Sequence, residues 1–284
     1  MLQSSRSFYC SNQYDCCYTF DGTALHSPTS MTLGPNNDLY VIDAGNERVL
    51  RFDRSDGTFV TDDFNEDGTP DGMAVPSNGD ALADRLTDIA FGPDGRLYVA
   101  VNPPANPDDP ATAQVEAPQL GSAQIRAYNP NTGEQDVARS ITGLNFVSSL
   151  AFGPDGRLYV IDAPSAIENP VDPVTGDPVA PGNSQMLAYN IDSAHPLNGA
   201  PRAAGQVDLG AAGAGDIDVS PDGLILATND AVGTVTQCTV TSNPDGGVIL
   251  AAGTPISVGL PDAAADTDGL SRPTDPLFIA ERFY

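Results

Sequence analysis

Lysine and tryptophan are absent from this chain, and histidine occurs only twice, as His26 and His195. All 12 basic residues are therefore arginine, set against 38 Asp and Glu for a net charge of −26. Such a surface repels phosphate backbones and anionic lipid, which sets aside nucleic acid and membrane as partners, and it attracts divalent cations. No apolar run approaches the ~20 residues of a spanning helix. Both histidines sit in polar loop contexts, so the commonest general base is in short supply. No Gly-x-Ser-x-Gly elbow marks a hydrolase nucleophile. The run Gly210-Ala-Ala-Gly213-Ala-Gly215 precedes a strand rather than a helix, so it reads as a link and not as a dinucleotide fingerprint. Asn-x-Ser/Thr acceptors are also missing. No secretory signal follows Met1, so an extracellular setting would require a processed or partial product.

Cysteine is scarce as well: Cys10, Cys16, Cys17 and Cys238. Three of them crowd the first 17 residues, which is not a zinc spacing without a matching second pair. The favoured expectation is two disulfides in an oxidising, extracellular environment, with all three pairings open. The alternative is free buried thiols.

What the chain has is repetition. The segment AFGPDGRLYV occurs unchanged at Ala90–Val99 and Ala151–Val160, with weaker copies at Thr32–Val41 and Asp218–Ala227. In each copy an apolar strand runs into a tight-turn sequence and a second apolar strand starts at once, which predicts a β-hairpin. The corresponding turn positions Asn37, Gly95, Gly156 and Gly223 lie 58, 61 and 67 residues apart. That exceeds the ~40–50 residues of ordinary propeller repeats, and Pro-rich insertions at Pro103–Pro118 and Asn169–Pro181 account for the excess. Both fall between the second and third strands of their units, so they are expected on one face of the molecule.

These patterns predict an all-β chain folded as a β-propeller, four antiparallel strands to a blade. The first unit reads Met31–Leu33, Leu39–Ile42, Arg48–Phe52 and Thr58–Val60. The fourth reads Asp216–Val219, Leu224–Thr228, Val235–Val240 and Val248–Ala251. A last, truncated unit is expected from Ile256–Val258 as inner strand and Leu277–Ala280 as second strand. Residues 1–29 carry strand-like sequence that would supply its outer strands, in its own ring or a neighbour's, with the propeller proper over 30–284. Closing the ring this way removes an exposed sheet edge. Five blades follow, and six if 61–86 conceals another.

The units Asp88-Ile-Ala-Phe-Gly-Pro-Asp-Gly-Arg-Leu-Tyr-Val and Ser149-Leu-Ala-Phe-Gly-Pro-Asp-Gly-Arg-Leu-Tyr-Val-Ile-Asp162 resemble the NHL-repeat and gluconolactonase-like propeller superfamily. The resemblance covers roughly residues 30–252 and implies blade architecture. It does not fix activity, because function resides in a site and not in a fold.

Two acidic sets are candidate sites. The stretch Asp63-Phe-Asn65-Glu-Asp67-Gly68-Thr69-Pro-Asp71 places oxygen ligands at alternate positions around a glycine that permits a tight wrap. It resembles the calcium loops of EF-hands and thrombospondin type-3 repeats, with Ala74 where the EF-hand has its bidentate Glu. Ca²⁺ is the expected ion, held by Asp63, Asn65, Asp67, Thr69 and Asp71. The second set is Asp88 and Asp216, at the heads of inner strands where Ser30 and Ser149 stand in the other units. The resemblance implies a divalent metal in the channel there, although the Glu of such sites is missing. Asp43, Asp162 and Asn229 end second strands and are further candidates. The competing reading is that these acids satisfy backbone donors.

The favoured functional expectation is a non-catalytic, extracellular, calcium-binding scaffold that binds a partner or assembles with copies of itself by strand donation into a filament. The alternative is a metal-dependent lactonase or lyase of the gluconolactonase-like kind, with Asp88 and Asp216 as ligands.

Overall fold

The computed structural model describes residues 19–20, 23–60, 73–74, 85–102, 120–164, 182–191, 203–210, 215–229, 233–243 and 247–257. Among the described residues the complete elements are β-strands and two short 3₁₀ turns, at Ala44–Asn46 and Val137–Arg139. Among the described residues no helix is long and apolar enough to cross a membrane.

The chain begins with a small antiparallel pair, β1 (Thr19–Phe20) and β2 (Thr23–Ala24). Four antiparallel sheets follow. The first is β3 (Pro28–Leu33), β4 (Leu39–Asp43), β5 (Arg48–Phe52) and β6 (Met73–Ala74). The second is β7 (Arg85–Phe91), β8 (Leu97–Asn102), β9 (Ala123–Tyr128) and β10 (Ile141–Leu144). The third is β11 (Val147–Phe152), β12 (Arg157–Asp162), β13 (Ser184–Asn190) and β14 (Ala203–Gly210). The fourth is β15 (Ile217–Val219), β16 (Ile225–Asn229), β17 (Thr234–Ser242) and β18 (Val248–Ala252), with β19 (Ile256–Ser257) also paired to β17. Each sheet meanders in chain order, and the inner strands β3, β7, β11 and β15 pack in succession. This is propeller architecture, with four blades in the described residues.

The repeated hairpin turn has one geometry in all four blades. Gly34, Gly92, Gly153 and Ser220 each donate their amide across the turn to Asp38, Arg96, Arg157 and Leu224, and each accepts the amide of the residue three ahead. That residue is left-handed every time: Asn37 at φ 67°, Gly95 at 75°, Gly156 at 78° and Gly223 at 87°. Gly adopts this conformation without strain and Asn at some cost, which is why the turn sequence recurs. The turn aspartate then anchors the tyrosine four residues on. Tyr98 donates its hydroxyl to Asp94 at 3.0 Å and Tyr159 to Asp155 at 2.7 Å.

The core lies between blades. Tyr40, Ile42, Leu86, Ile89 and Val99 fill the first gap. Ala100, Ile125, Leu150 and Val160 fill the second. Tyr159, Met186, Ile217, Ile225 and Cys238 fill the third. A middle strand touches both neighbouring blades, so β8 is buried at every position and its sequence is a continuous apolar run.

Two strand assignments need correction, and two strands are added. Thr58–Val60 is reduced to a single bridge, Phe59 to Phe52, and the outer strand of the first blade resumes only at Met73–Ala74. The acidic stretch 63–71 falls in sequence between these two pieces. Ile256–Ser257 does not begin a further blade, because it pairs with Thr234 and Val235 and extends the outer edge of the fourth. The outer strands β10 and β14 carried too little apolar alternation to be read from sequence. The expected closing strand Leu277–Ala280 lies outside the described residues, as do residues 1–18.

Candidate functional site

The inner strands begin on the face where the second strands end. There the sequence places Ser30, Asp88, Ser149 and Asp216 at equivalent positions of four successive blades, and the structure joins them. Ser30 Oγ donates to Asp88 Oδ1 at 2.7 Å. Ser149 Oγ lies 2.8 Å from Asp88 Oδ2 and is also hydrogen-bonded to Asp216 Oδ1. Backbone amides complete the set. Ile89 N donates to Asp88 Oδ1 at 2.8 Å, Leu150 N to Asp88 Oδ2 at 2.7 Å, and Ile217 N to Asp216 Oδ1 at 2.8 Å. A serine hydroxyl, itself buried, is thus held between two part-buried carboxyl groups on the strands that line the channel.

Burial pushes the Asp88 carboxyl above its usual range, against the lowering effect of the donors on Leu150, Ser30, Ser149 and Ile89. No cation figures among these influences, so desolvation of the charged form prevails.

A second tier surrounds this set at the ends of β4, β8, β12 and β16. Asp43 Oδ2 is bonded by Arg48 at 2.8 Å and by Asn46 at 2.7 Å, while its Oδ1 caps the His26 amide at 2.5 Å. Asp162 caps the amides of Asn145 and Phe146, and burial raises its carboxyl too. Asn102, which sequence reasoning passed over, both donates to and accepts from the backbone of Val147 in the next blade. Asp43, Asn102 and Asp162 therefore cap backbone and hold strands in register. Asn229 is buried at the corresponding place in the fourth blade.

A divalent metal on Asp88 and Asp216 does not fit this donor set. Both Asp88 oxygens are already engaged by two hydrogen-bond partners each. A bound cation would displace donors that hold three blades together. Among the described residues no three His, Cys, Asp or Glu side chains converge as a metal site. The calcium stretch Asp63, Asn65, Asp67, Thr69 and Asp71 lies outside the described residues, as do Cys10, Cys16 and Cys17. Cys238 is a free, buried thiol, so the disulfide expected of it is replaced by the buried-thiol alternative. Its place between the third and fourth blades, among Ile225, Val248 and Leu250, is the physical reason.

Comparison with known proteins adds the following. No family model and no curated protein matches the sequence. Solved structures do share its architecture. A gluconolactonase from Xanthomonas campestris aligns at 17% identity and TM-score 0.46, over 83% of this chain and 66% of that one. Virginiamycin B lyase from Staphylococcus aureus aligns at 10% identity and TM-score 0.41, over 82% and 56%. Kuenenia stuttgartiensis hydrazine synthase aligns at 16% identity and TM-score 0.47, over 84% and 57%. The chain thus spans between just over half and two-thirds of the length of these proteins, and the likeness is one of fold.

The expectation of a non-catalytic, self-assembling scaffold is corrected at this point. The propellers of similar fold include a gluconolactonase and a lyase. The physical premise of the scaffold reading was a thin catalytic inventory. Asp88, Asp216 and Ser149 are among the positions that the repeats align, and the structure adds the hydrogen bonds that join them across three blades.

Proposed function

We propose that this propeller is a hydrolase of small lactones or related esters, working at the channel mouth where Asp88, Ser149 and Asp216 meet. The observation that carries the reading is the serine hydroxyl bonded to both carboxyl groups. Two carboxyls in one site, held in unlike environments, are the usual means of obtaining an acid and a base at one pH. Asp216 is the base in this reading. It takes a proton from water as the water oxygen attacks the carbonyl carbon, and the ring C–O bond then breaks with protonation of the leaving oxygen. Ser149 fixes the distance between the two carboxyls. The gluconolactonase of similar fold supports lactones as the first substrate class to try.

The test is a panel of five- and six-membered lactones and simple aryl esters, assayed with and without added divalent metal. Hydrolysis above the uncatalysed rate, retained in chelator, is the expected result. No turnover on any member removes the proposal. Calcium at Asp63–Asp71 belongs to this reading as a separate, structural ion, with a role in neutralising a self-repelling loop.

A further inference from the structure

The hydroxyl and carboxyl oxygens along the inner strands pose a problem of proton supply. The links Ser30–Asp88, Asp88–Ser149 and Ser149–Asp216 are three oxygen–oxygen hydrogen bonds in a row. Each needs one proton. Ser30 and Ser149 bring one each, and the single proton of Ser149 serves only one of its two links. With both carboxyls ionised, one link would set oxygen lone pairs against each other in a buried place, which is costly. The third proton must come from a carboxyl group.

We infer that Asp88 is held as a neutral carboxylic acid in the folded protein at neutral pH, donating to Ser149, which in turn donates to Asp216. The surroundings agree with the choice of Asp88. Strands β3 and β11, which pack on β7 from either side, carry no ionisable side chain. On β8 the ionisable group is Tyr98, bonded to Asp94 at the opposite end of the strand. On β4 Tyr40 packs against Phe91, and Asp43 is engaged by Arg48 and Asn46. From β15 and its approach come Asp216, which repels a second negative charge, and Asp218, which caps Val219 N. Among the described side chains nothing cationic faces Asp88, and burial raises its carboxyl. The group is therefore a proton store that joins the first, second and third blades and reaches the fourth through Ser149. Its catalytic consequence rests on the proposed hydrolase reading: the stored proton can pass through Ser149 to the leaving oxygen. The protonation itself does not depend on that reading.

The linkage sign follows from a folded value above the unfolded one, about 3.9. The stability contributed by the neutral acid is complete below the unfolded value and is lost as pH rises through the folded value. Asp88→Asn replaces the acid by a group that always supplies the third proton, so its stability should be free of that loss.

The experiment is infrared spectroscopy of the whole protein in D₂O at neutral pD. A carboxylic-acid C=O band is expected in the unmodified protein and is lost in Asp88→Asn. Absence of the band, or its persistence in Asp88→Asn, overturns the inference. Should Asp88→Asn fail to fold, a ¹³C carboxyl titration of the unmodified protein decides. One Asp Cγ correlated to the Ile89 and Leu150 amides must keep its protonated shift at pH 7, and an ionised shift there overturns the inference. A band without lactone hydrolysis sinks the hydrolase and leaves the stored proton standing.

Discussion

Replacing Asn102 by alanine tests how one blade holds the next. Asn102 is 1% exposed, and Val147, its partner on β11, is fully buried. Asn102 Nδ2 donates to Val147 O at 2.8 Å and to Thr87 Oγ1 at 2.9 Å, and its Oδ1 accepts Val147 N at 2.7 Å. Alanine leaves the Val147 amide without its partner, while the Val147 carbonyl keeps the Thr87 hydroxyl at 2.7 Å. One orphaned group costs about 1–3 kcal/mol, so the central expectation is a loss of about 2 kcal/mol. For a chain of this size that lowers Tm by roughly 4–8 °C. Differential scanning calorimetry and urea denaturation give the number. Asn131→Ala, on an exposed turn, is the control and should stay within about 0.5 kcal/mol. A loss below about 1 kcal/mol for Asn102→Ala would refute the claim that this side chain clamps the second blade to the third.

Three further outcomes follow from the same structure. Gly205→Ala should destabilise by about 1–3 kcal/mol, because a Cβ there would stand 2.4 Å from the Val248 carbonyl where the outer strands of the third and fourth blades touch; a wild-type Tm would contradict this close approach. Cys238, buried and with its thiol pushed up to about 11, should resist alkylation at pH 8 in the native protein and react on unfolding, as read by peptide mass spectrometry. Calcium at a hundred times its dissociation constant should stabilise the chain by about 2.7 kcal/mol; titration calorimetry on metal-stripped protein with no heat at millimolar Ca²⁺ would remove the Asp63–Asp71 site.

The hairpins were legible because the turn is chemically demanding. A left-handed residue at Asn37, Gly95, Gly156 and Gly223 forces the same local sequence each time. Outer strands were not. β14 reads Ala-Ala-Gly-Gln-Val-Asp-Leu-Gly, and only Val207 and Leu209 of it pack on the core, too short an alternation to mark a strand. β10 follows a 3₁₀ turn that separates it from the obvious strand before it. Ile256 looked like the start of a blade because a two-residue strand cannot announce its partner. Of the site, the equivalent positions Ser30, Asp88, Ser149 and Asp216 could be aligned from the repeats. Their hydrogen bonds could not, since they cross between blades some 60 residues apart, at distances that the packing of whole sheets sets. Asn102 was missed for a similar reason, since its partner lies 45 residues on.

The most direct test of the account is kcat/KM for lactone hydrolysis by Asp216→Asn, with circular dichroism to establish that the variant is folded. Loss of a catalytic base predicts a drop of about 10²–10⁴-fold with the fold intact. A folded variant that hydrolyses lactones as fast as the unmodified protein would show that the chemistry lies elsewhere.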